Sequence, residues 1–387
     1  MKKFKRAAAV LLSAAFTVAA VSGCSSQGSS DNANKFYIGG IGPTTGSNAA
    51  YGTAVMNAAQ IAVDEINEAG GINGYQVEFK FEDDESNAEK AVNAYNSLKD
   101  WGMKILMGTV TSDPCKAVAA ESGNDNMFQI TPSASSVDVI QGGNVFQVCF
   151  TDPNQGSASA QYIGENNLAS KVGVIYDSSD VYSSGIYEKF IEESENQDYE
   201  VVSVQTFTSD AKSEFSVQVK SCIDAGAELI FLPIYYTEAS LIIKEADSEG
   251  ADVKFFGCDG FDGLLSVDGF DTSLAEGVML LTPFSADSTD EQTADFVAAY
   301  KEKYNETPIQ FAADAYDAIY IIKAAIEEAG IEPSASTSEI CDALKEAMTK
   351  ISYDGVTGKG MTWSSSGEVN KQPMAVIIKD GAYVGAE

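Results

Sequence analysis

Apolar and polar residues alternate along the chain in two rhythms. Residues 36–41 (FYIGGI) form a short apolar run ending in a glycine-rich turn, the pattern of a buried strand. Val55, Ala58, Ala59, Ala62, Val63 and Ile66 then recur at helical spacing over residues 51–69, and Gly70-Gly71 stops that helix. Residues 75–81 alternate as a strand, 87–99 read as a helix, and 105–107 as a short buried strand. Thr111-Ser112-Asp113-Pro114 predicts a helix start, with a capping side chain and Pro at the first position. Residues 127–130 and 146–148 are further strands.

The alternation then begins again. Strands are expected at 171–176, 201–207, 229–232 and 254–256, separated by helices at 183–195, 215–225 and 237–250. Such alternation predicts parallel sheets with helices on both faces, and its two runs predict two lobes. After Pro283 come helices at 290–304, 311–329 and 338–350, then a strand-rich tail over 358–384. Helices without a sheet of their own must pack back on an earlier one, so the chain crosses between lobes more than once. A length of 387 residues also suits two domains at roughly 150 residues each.

The first residues read as an address. Lys2, Lys3, Lys5 and Arg6 precede an apolar stretch over 7–21, which is too short for a stable membrane span. Residues 1–23 are therefore expected to be a signal peptide. Val-Ser-Gly-Cys at 21–24 resembles a bacterial lipobox, which implies lipidation of Cys24 and a mature chain beginning there. Residues 24–35 then serve as a flexible tether. An exported protein, anchored to the outer face of a membrane by lipid alone, is the expectation.

Composition narrows the chemistry. The chain has 24 Lys+Arg against 57 Asp+Glu, a net charge of −33 and no histidine. Removing the four N-terminal cations leaves a mature charge of about −37. Such a charge repels nucleic acid and anionic membrane surfaces. Without histidine there is no Ser-His-Asp or Cys-His nucleophile and no histidine-ligated metal. Arg6 is the only arginine, so the body of the chain lacks the bidentate fork that usually holds a carboxylate. Cys115, Cys149, Cys222, Cys258 and Cys341 are odd in number and without C-x-x-C spacing, and read as buried free thiols. Ser209-x-x-Lys212 fits a Ser-Lys hydrolase spacing, but no Lys-Thr-Gly follows. No cofactor, metal or enzymatic activity is expected.

In open parallel sheets, ligands bind beyond the carboxyl ends of the strands. In the first lobe those places carry hydroxyls and helix N-termini, at 42–50, 109–113 and 131–136. In the second they carry a carboxylate and tyrosines, at 177–182, 235–236 and 259–261. Hydroxyls and backbone N–H groups at a helix start hold an anion without arginine. A carboxylate with aromatic rings suits an ammonium. Together these two halves fit an amino acid.

Residues 36–79, with Gly-Pro-x-x-Gly at 42–46 and the stretch AVDEINEAGGING at 62–74, closely resemble the start of the leucine/isoleucine/valine-binding proteins. These are extracellular substrate-binding subunits of ABC importers, and the likeness runs over nearly all of 36–387. It implies a type I periplasmic binding fold: two Rossmann-like lobes joined by three hinge crossovers. The first lobe would be 34–152 plus 283–368, the second 153–282 plus 369–387. It also implies that Ser112, Ser133 and Ser135 bind the ligand's α-carboxylate and part of its ammonium. Tyr51 and Tyr316 would line the side-chain pocket, and Tyr182 would stand in the family's Tyr-Gly position, with Ser183 replacing the glycine. Tyr235 and Asp259 would hold the ammonium. The first-lobe disulfide of some relatives is missing, with Glu85 and Thr111 near its places. The implied ligand is a branched-chain amino acid and the partner an ABC permease, with the protein a monomer. The rival expectations are a ligand-sensing receptor of the same fold, or binding of another small amino acid, an amide or an aromatic acid.

Overall fold

The computed structural model describes residues 34–386. The predicted signal peptide, Cys24 and nearly all of the tether lie outside the described residues.

The first part of the chain builds a five-stranded parallel sheet in the order β2-β1-β3-β4-β5. Its elements run β1 (Lys35–Gly42), α1 (Ala49–Glu68), β2 (Gln76–Asp83), α2 (Ala88–Trp101), β3 (Ile105–Gly108), α3 (Ser112–Asn124), β4 (Phe128–Thr131) and β5 (Val145–Gln147). β3 and β4 are buried at every position, which is why they read as continuous apolar runs rather than alternating ones. Gly52 shows how tightly α1 sits. A Cβ there would lie 2.1 Å from the carbonyl oxygen of Pro43, so only glycine lets the helix approach that turn.

The second sheet follows after α4 (Asp152–Glu165), with β6 (Lys171–Asp177), α5 (Val181–Ser194), β7 (Glu200–Phe207), α6 (Ser216–Asp224), β8 (Leu229–Leu232), α7 (Tyr236–Ser248), β9 (Lys254–Gly257) and β10 (Met279–Thr282). Helices α8 (Glu291–Tyr304), α9 (Gln310–Ala329) and α10 (Thr337–Met348) come next, then β11 (Met374–Lys379) and β12 (Ala382–Gly385). The second sheet has seven strands in the order β12-β11-β10-β9-β8-β6-β7, parallel except that β11 is antiparallel to both its neighbours. The late helices return to the first sheet: α9 lies along α1, and α10 packs on β4. This gives the α/β architecture of two lobes expected from the alternation.

Two differences from the expected elements have clear causes. α4 was not visible as an apolar stripe because it buries Gln155, Gly156, Ser159 and Ala160. Its Gly156 lies so close to α5 that a Cβ would come within 2.3 Å of the Ile186 carbonyl oxygen. The tail is strand-rich only at its end. Residues 353–369 make isolated bridges, Tyr353 with Met361 and Trp363 with Val369, before β11 begins. The cysteines behave as expected, since Cys115, Cys149, Cys222, Cys258 and Cys341 are all free and buried. Among the described residues no helix is long and apolar enough to cross a membrane.

Candidate functional site

The ends of β3, β4, β6, β8 and β9 point into the space between the lobes, and the side chains that follow them meet there. A narrow cleft is lined by Val110, Ser112 and Ser133 from one lobe and Tyr182, Tyr235 and Asp259 from the other. Phe311 and Gly260 complete its walls. Its cavity is about 10 Å³, room for roughly one water molecule, so entry of anything larger requires the lobes to part.

The first-lobe half is made of hydroxyls and a helix start. Ser112 opens α3, where the first N–H groups have no partner within the helix. Its hydroxyl oxygen accepts the Ser136 N–H at 3.3 Å, and the Ser133 hydroxyl donates to the Val110 carbonyl at 2.8 Å. The helix starts earlier than expected: Thr111 takes the N-cap position of α3 with no capping bond from its side chain, and Pro114 is the third residue of the helix rather than the first.

The second-lobe half is a carboxylate held by a tyrosine. Asp259, just after β9, is 2% exposed, and its Oδ1 accepts the Tyr182 hydroxyl at 2.8 Å. That same hydroxyl accepts the Gly260 N–H at 3.0 Å. The Tyr182 ring stacks on Tyr235, 4.9 Å between centroids and 8° from parallel. Burial pushes the Asp259 carboxyl up to about 7, and the Tyr182 hydroxyl and Gln155 restrain the rise. A buried acid poised this way gains a great deal from an arriving cation.

Other predicted residues take different places. Tyr51 is fully buried and joins the lobes rather than lining the cleft. Its hydroxyl donates to the Gly260 carbonyl and accepts the Tyr236 N–H, and its ring stacks on Phe311 at 3.9 Å. Ser135 lies behind the cleft, where its carbonyl accepts the Asp152 N–H at 3.0 Å. Tyr316 is the misplaced residue. Its hydroxyl donates to Glu65 at 2.7 Å and its ring packs 4.7 Å from Phe296, within the packing of α9 on its own lobe. The α9 aromatic in the cleft is Phe311, in that helix's first turn. The general rule that ligands sit where helices start was the signal for it. Gln155 was also missed, although its Oε1 accepts the Asp259 N–H at 3.2 Å, because α4 carries no apolar pattern.

Further bonds cross between the lobes beside the cleft. The Tyr236 hydroxyl accepts the Ala50 N–H at 3.2 Å, the Thr237 hydroxyl donates to the Ser47 carbonyl at 2.7 Å, and Asp262 accepts the Gln310 N–H at 2.5 Å. Among the described residues no group of three or more His, Cys, Asp or Glu side chains is arranged to hold a metal.

The family model of periplasmic binding proteins matches residues 35–381. The chain belongs to the periplasmic binding protein family. Within it, the chain falls with the leucine/isoleucine/valine-binding proteins. It is 31% identical over 358 residues to Leu/Ile/Val-binding protein homolog 3 of Brucella melitensis, covering 90% of this chain and 93% of that one. Among solved structures it is similar to the branched-chain amino acid transporter substrate-binding protein LivJ of Streptococcus pneumoniae, a complex with isoleucine. The TM-score is 0.82 at 30% identity, over 91% of this chain and 99% of that one. It is also similar to the leucine-binding protein LivK of Thermotoga maritima, with a TM-score of 0.80 at 27% identity over 91% and 98% of the two chains.

Proposed function

We propose that this periplasmic binding protein binds a branched-chain amino acid (leucine, isoleucine or valine) between its lobes and delivers it to the permease of an ABC importer. The observation that carries the reading is the pairing of unlike halves across one cleft. Asp259, buried and bonded to Tyr182, faces the hydroxyls of Ser112, at the start of α3, and Ser133, just after β4. The carboxylate suits an α-ammonium and the helix start an α-carboxylate. Val110 and Phe311 supply the apolar surface for a branched side chain. The isoleucine complex of LivJ and the leucine-binding description of LivK support the same class.

In this reading the protein works without chemistry, as a monomer that closes on its ligand and reopens at the permease. Export by the 1–23 leader and lipidation of Cys24 would hold it at the outer face of the membrane, on the 24–35 tether. Tyr51 belongs to the site as a support of closure, Ser135 stands behind the cleft within the first lobe, and the 34–152 plus 283–368 and 153–282 plus 369–387 divisions are the moving lobes. Calorimetric titration of the mature protein with leucine, isoleucine, valine, alanine and phenylalanine tests the ligand. Saturable heat with the three branched-chain amino acids is expected, and no heat with any of the five would sink the reading. Mass spectrometry of the membrane fraction tests the anchor, with a diacylglyceryl adduct on Cys24 expected.

A further inference from the structure

Beyond the Tyr182–Tyr235 stack the space between the lobes opens into a second compartment of about 140 Å³. Thr111, Tyr182 and Tyr235 are walls common to it and to the cleft. Its charges come from both lobes: Asp113 from the first, and Asp177, Asp180, Glu238 and Lys212 from the second. Four carboxylates thus face a single ammonium.

These carboxylates are unequally satisfied. Asp177 is held by the Ser179 N–H at 2.9 Å and by the hydroxyls of Ser179 and Ser209 at 2.7 and 2.8 Å. Glu238 is 3% exposed, and its Oε1 pairs with Lys212 at 2.9 Å while its Oε2 has no hydrogen-bond partner. Asp180 spends one oxygen on capping α5 through the Ser183 N–H at 3.0 Å. Burial, then the charges of Asp113 and Asp177, push its carboxyl up to about 7.

Thr111 adds an unsatisfied hydroxyl to the same wall. It is 4% exposed, its hydroxyl has no hydrogen-bond partner, and it stands in the wall of the compartment without capping the helix it begins. A buried hydroxyl with no partner is costly unless a ligand satisfies it.

We propose that this compartment binds a primary ammonium group, held by Asp113, Asp180 and the free oxygen of Glu238, with the Thr111 hydroxyl accepting one of its protons. An ammonium offers three donors and no acceptor, which matches a wall of acceptors from both lobes. Because the cation would bridge Asp113 on one lobe to Asp180 and Glu238 on the other, its binding favours the closed state. The proposal rests on the reading of the cleft as an α-amino-acid site. The ammonium has two candidate sources. It is either the distal end of a diamino acid whose α-groups occupy the cleft, or a separate small amine bound beside a branched-chain ligand.

Calorimetric titration at constant ionic strength separates them. L-lysine is compared with L-norleucine, which has the same four-carbon side chain without the terminal ammonium. L-leucine is titrated with and without millimolar n-propylammonium, with choline as the cation that has no N–H. Lysine binding roughly tenfold tighter than norleucine supports a diamino acid. A several-fold gain in leucine affinity from propylammonium but not from choline supports a separate amine. Either gain should vanish in the double variant Asp113→Asn/Asp180→Asn. An asparagine side chain caps a helix about as well as an aspartate, so α5 keeps its start and leucine affinity without amine stays within about twofold. Leucine binding with neither gain overturns the ammonium site and leaves the cleft reading standing. No binding of any amino acid overturns the cleft reading, and this proposal with it.

Discussion

Tyr182 donates its hydroxyl proton to Asp259 at 2.8 Å while accepting the N–H of Gly260, so one phenol orients both the carboxylate and the turn that carries it. The Tyr51 hydroxyl comes from the opposite lobe to the carbonyl of that same Gly260. Cleft residue and closure contact therefore meet at a single residue, Gly260, one through its N–H and the other through its carbonyl. A ligand that pulls on Asp259 acts on the turn through which the lobes touch.

The first prediction concerns protons. The free Asp259 carboxyl titrates at about 7, and only its ionised form pairs with an ammonium. Below pH 7 the ligand must displace a proton, so affinity falls by up to about tenfold for each pH unit, while above it affinity levels off. Titrations in buffers of different ionisation enthalpy should show proton release near neutrality. Asp259→Ala should cost on the order of 3–5 kcal/mol in binding and flatten the profile. Affinity that improves as pH falls would contradict the assignment.

The shared Gly260 gives a second. Tyr51→Phe keeps the ring on Phe311 but removes the hydroxyl that reaches Gly260 and Tyr236. A bond that exists only between closed lobes should cost about 1 kcal/mol in closure, and so about fivefold in ligand affinity. Thermal stability of each lobe should hardly move. Small-angle scattering should show a more open ligand-free form, and an unchanged scattering curve together with an unchanged dissociation constant would refute it.

These cases mark how far the sequence could be read. That Asp259, Tyr182 and Ser112 lie at one cleft was legible because each follows a strand whose apolar run is unambiguous, and the space beyond such strand ends is where an α/β sheet has its crevice. Tyr316 failed because position on a helix does not say which way a side chain faces. Its hydroxyl finds Glu65 on α1, whereas Phe311, five residues earlier, starts the helix at the cleft. The part played by α4 was hidden for another reason. Helices that pack through glycine and serine leave no hydrophobic period to read, yet Asp152 and Gln155 stand behind the site.

A third prediction is about stability. Burial raises Asp84, Asp259 and Asp262 to about 7 and Asp152 well above the usual carboxylate range. In the unfolded chain such groups titrate near about 3.9, so between about pH 4 and 7 the folded protein holds protons that the unfolded chain has lost. Stability therefore falls as pH rises through that window. The melting temperature without ligand should be higher at about pH 5 than at about pH 8, by an amount worth a few kcal/mol. The gain from added leucine should run the other way, being larger at the higher pH. A ligand-free melting temperature that climbs from acid to neutral pH would rule this out.

The last concerns Lys371, buried where the chain leaves the first sheet for β11. Its ammonium lies 3.1 Å from Asp314 on α9 and donates to the Thr357 hydroxyl at 2.6 Å. Thr357 in turn donates its hydroxyl to Asp317 at 2.6 Å, and Asp317 also accepts the N–H groups of Val356 and Thr357. Burial raises the Asp314 carboxyl to about 6, with Lys371 limiting the rise. Lys371→Met would strand that carboxylate among Asp317 and the apolar core, at a cost of about 3–5 kcal/mol. Asp314→Asn in the same chain should recover most of it, because the loss comes from the unpaired charge rather than from the missing ammonium. Thermal and urea denaturation of the single and double variants measure this. Equal losses in both would show that Lys371 acts by packing alone, and that the crossover does not depend on its ion pair.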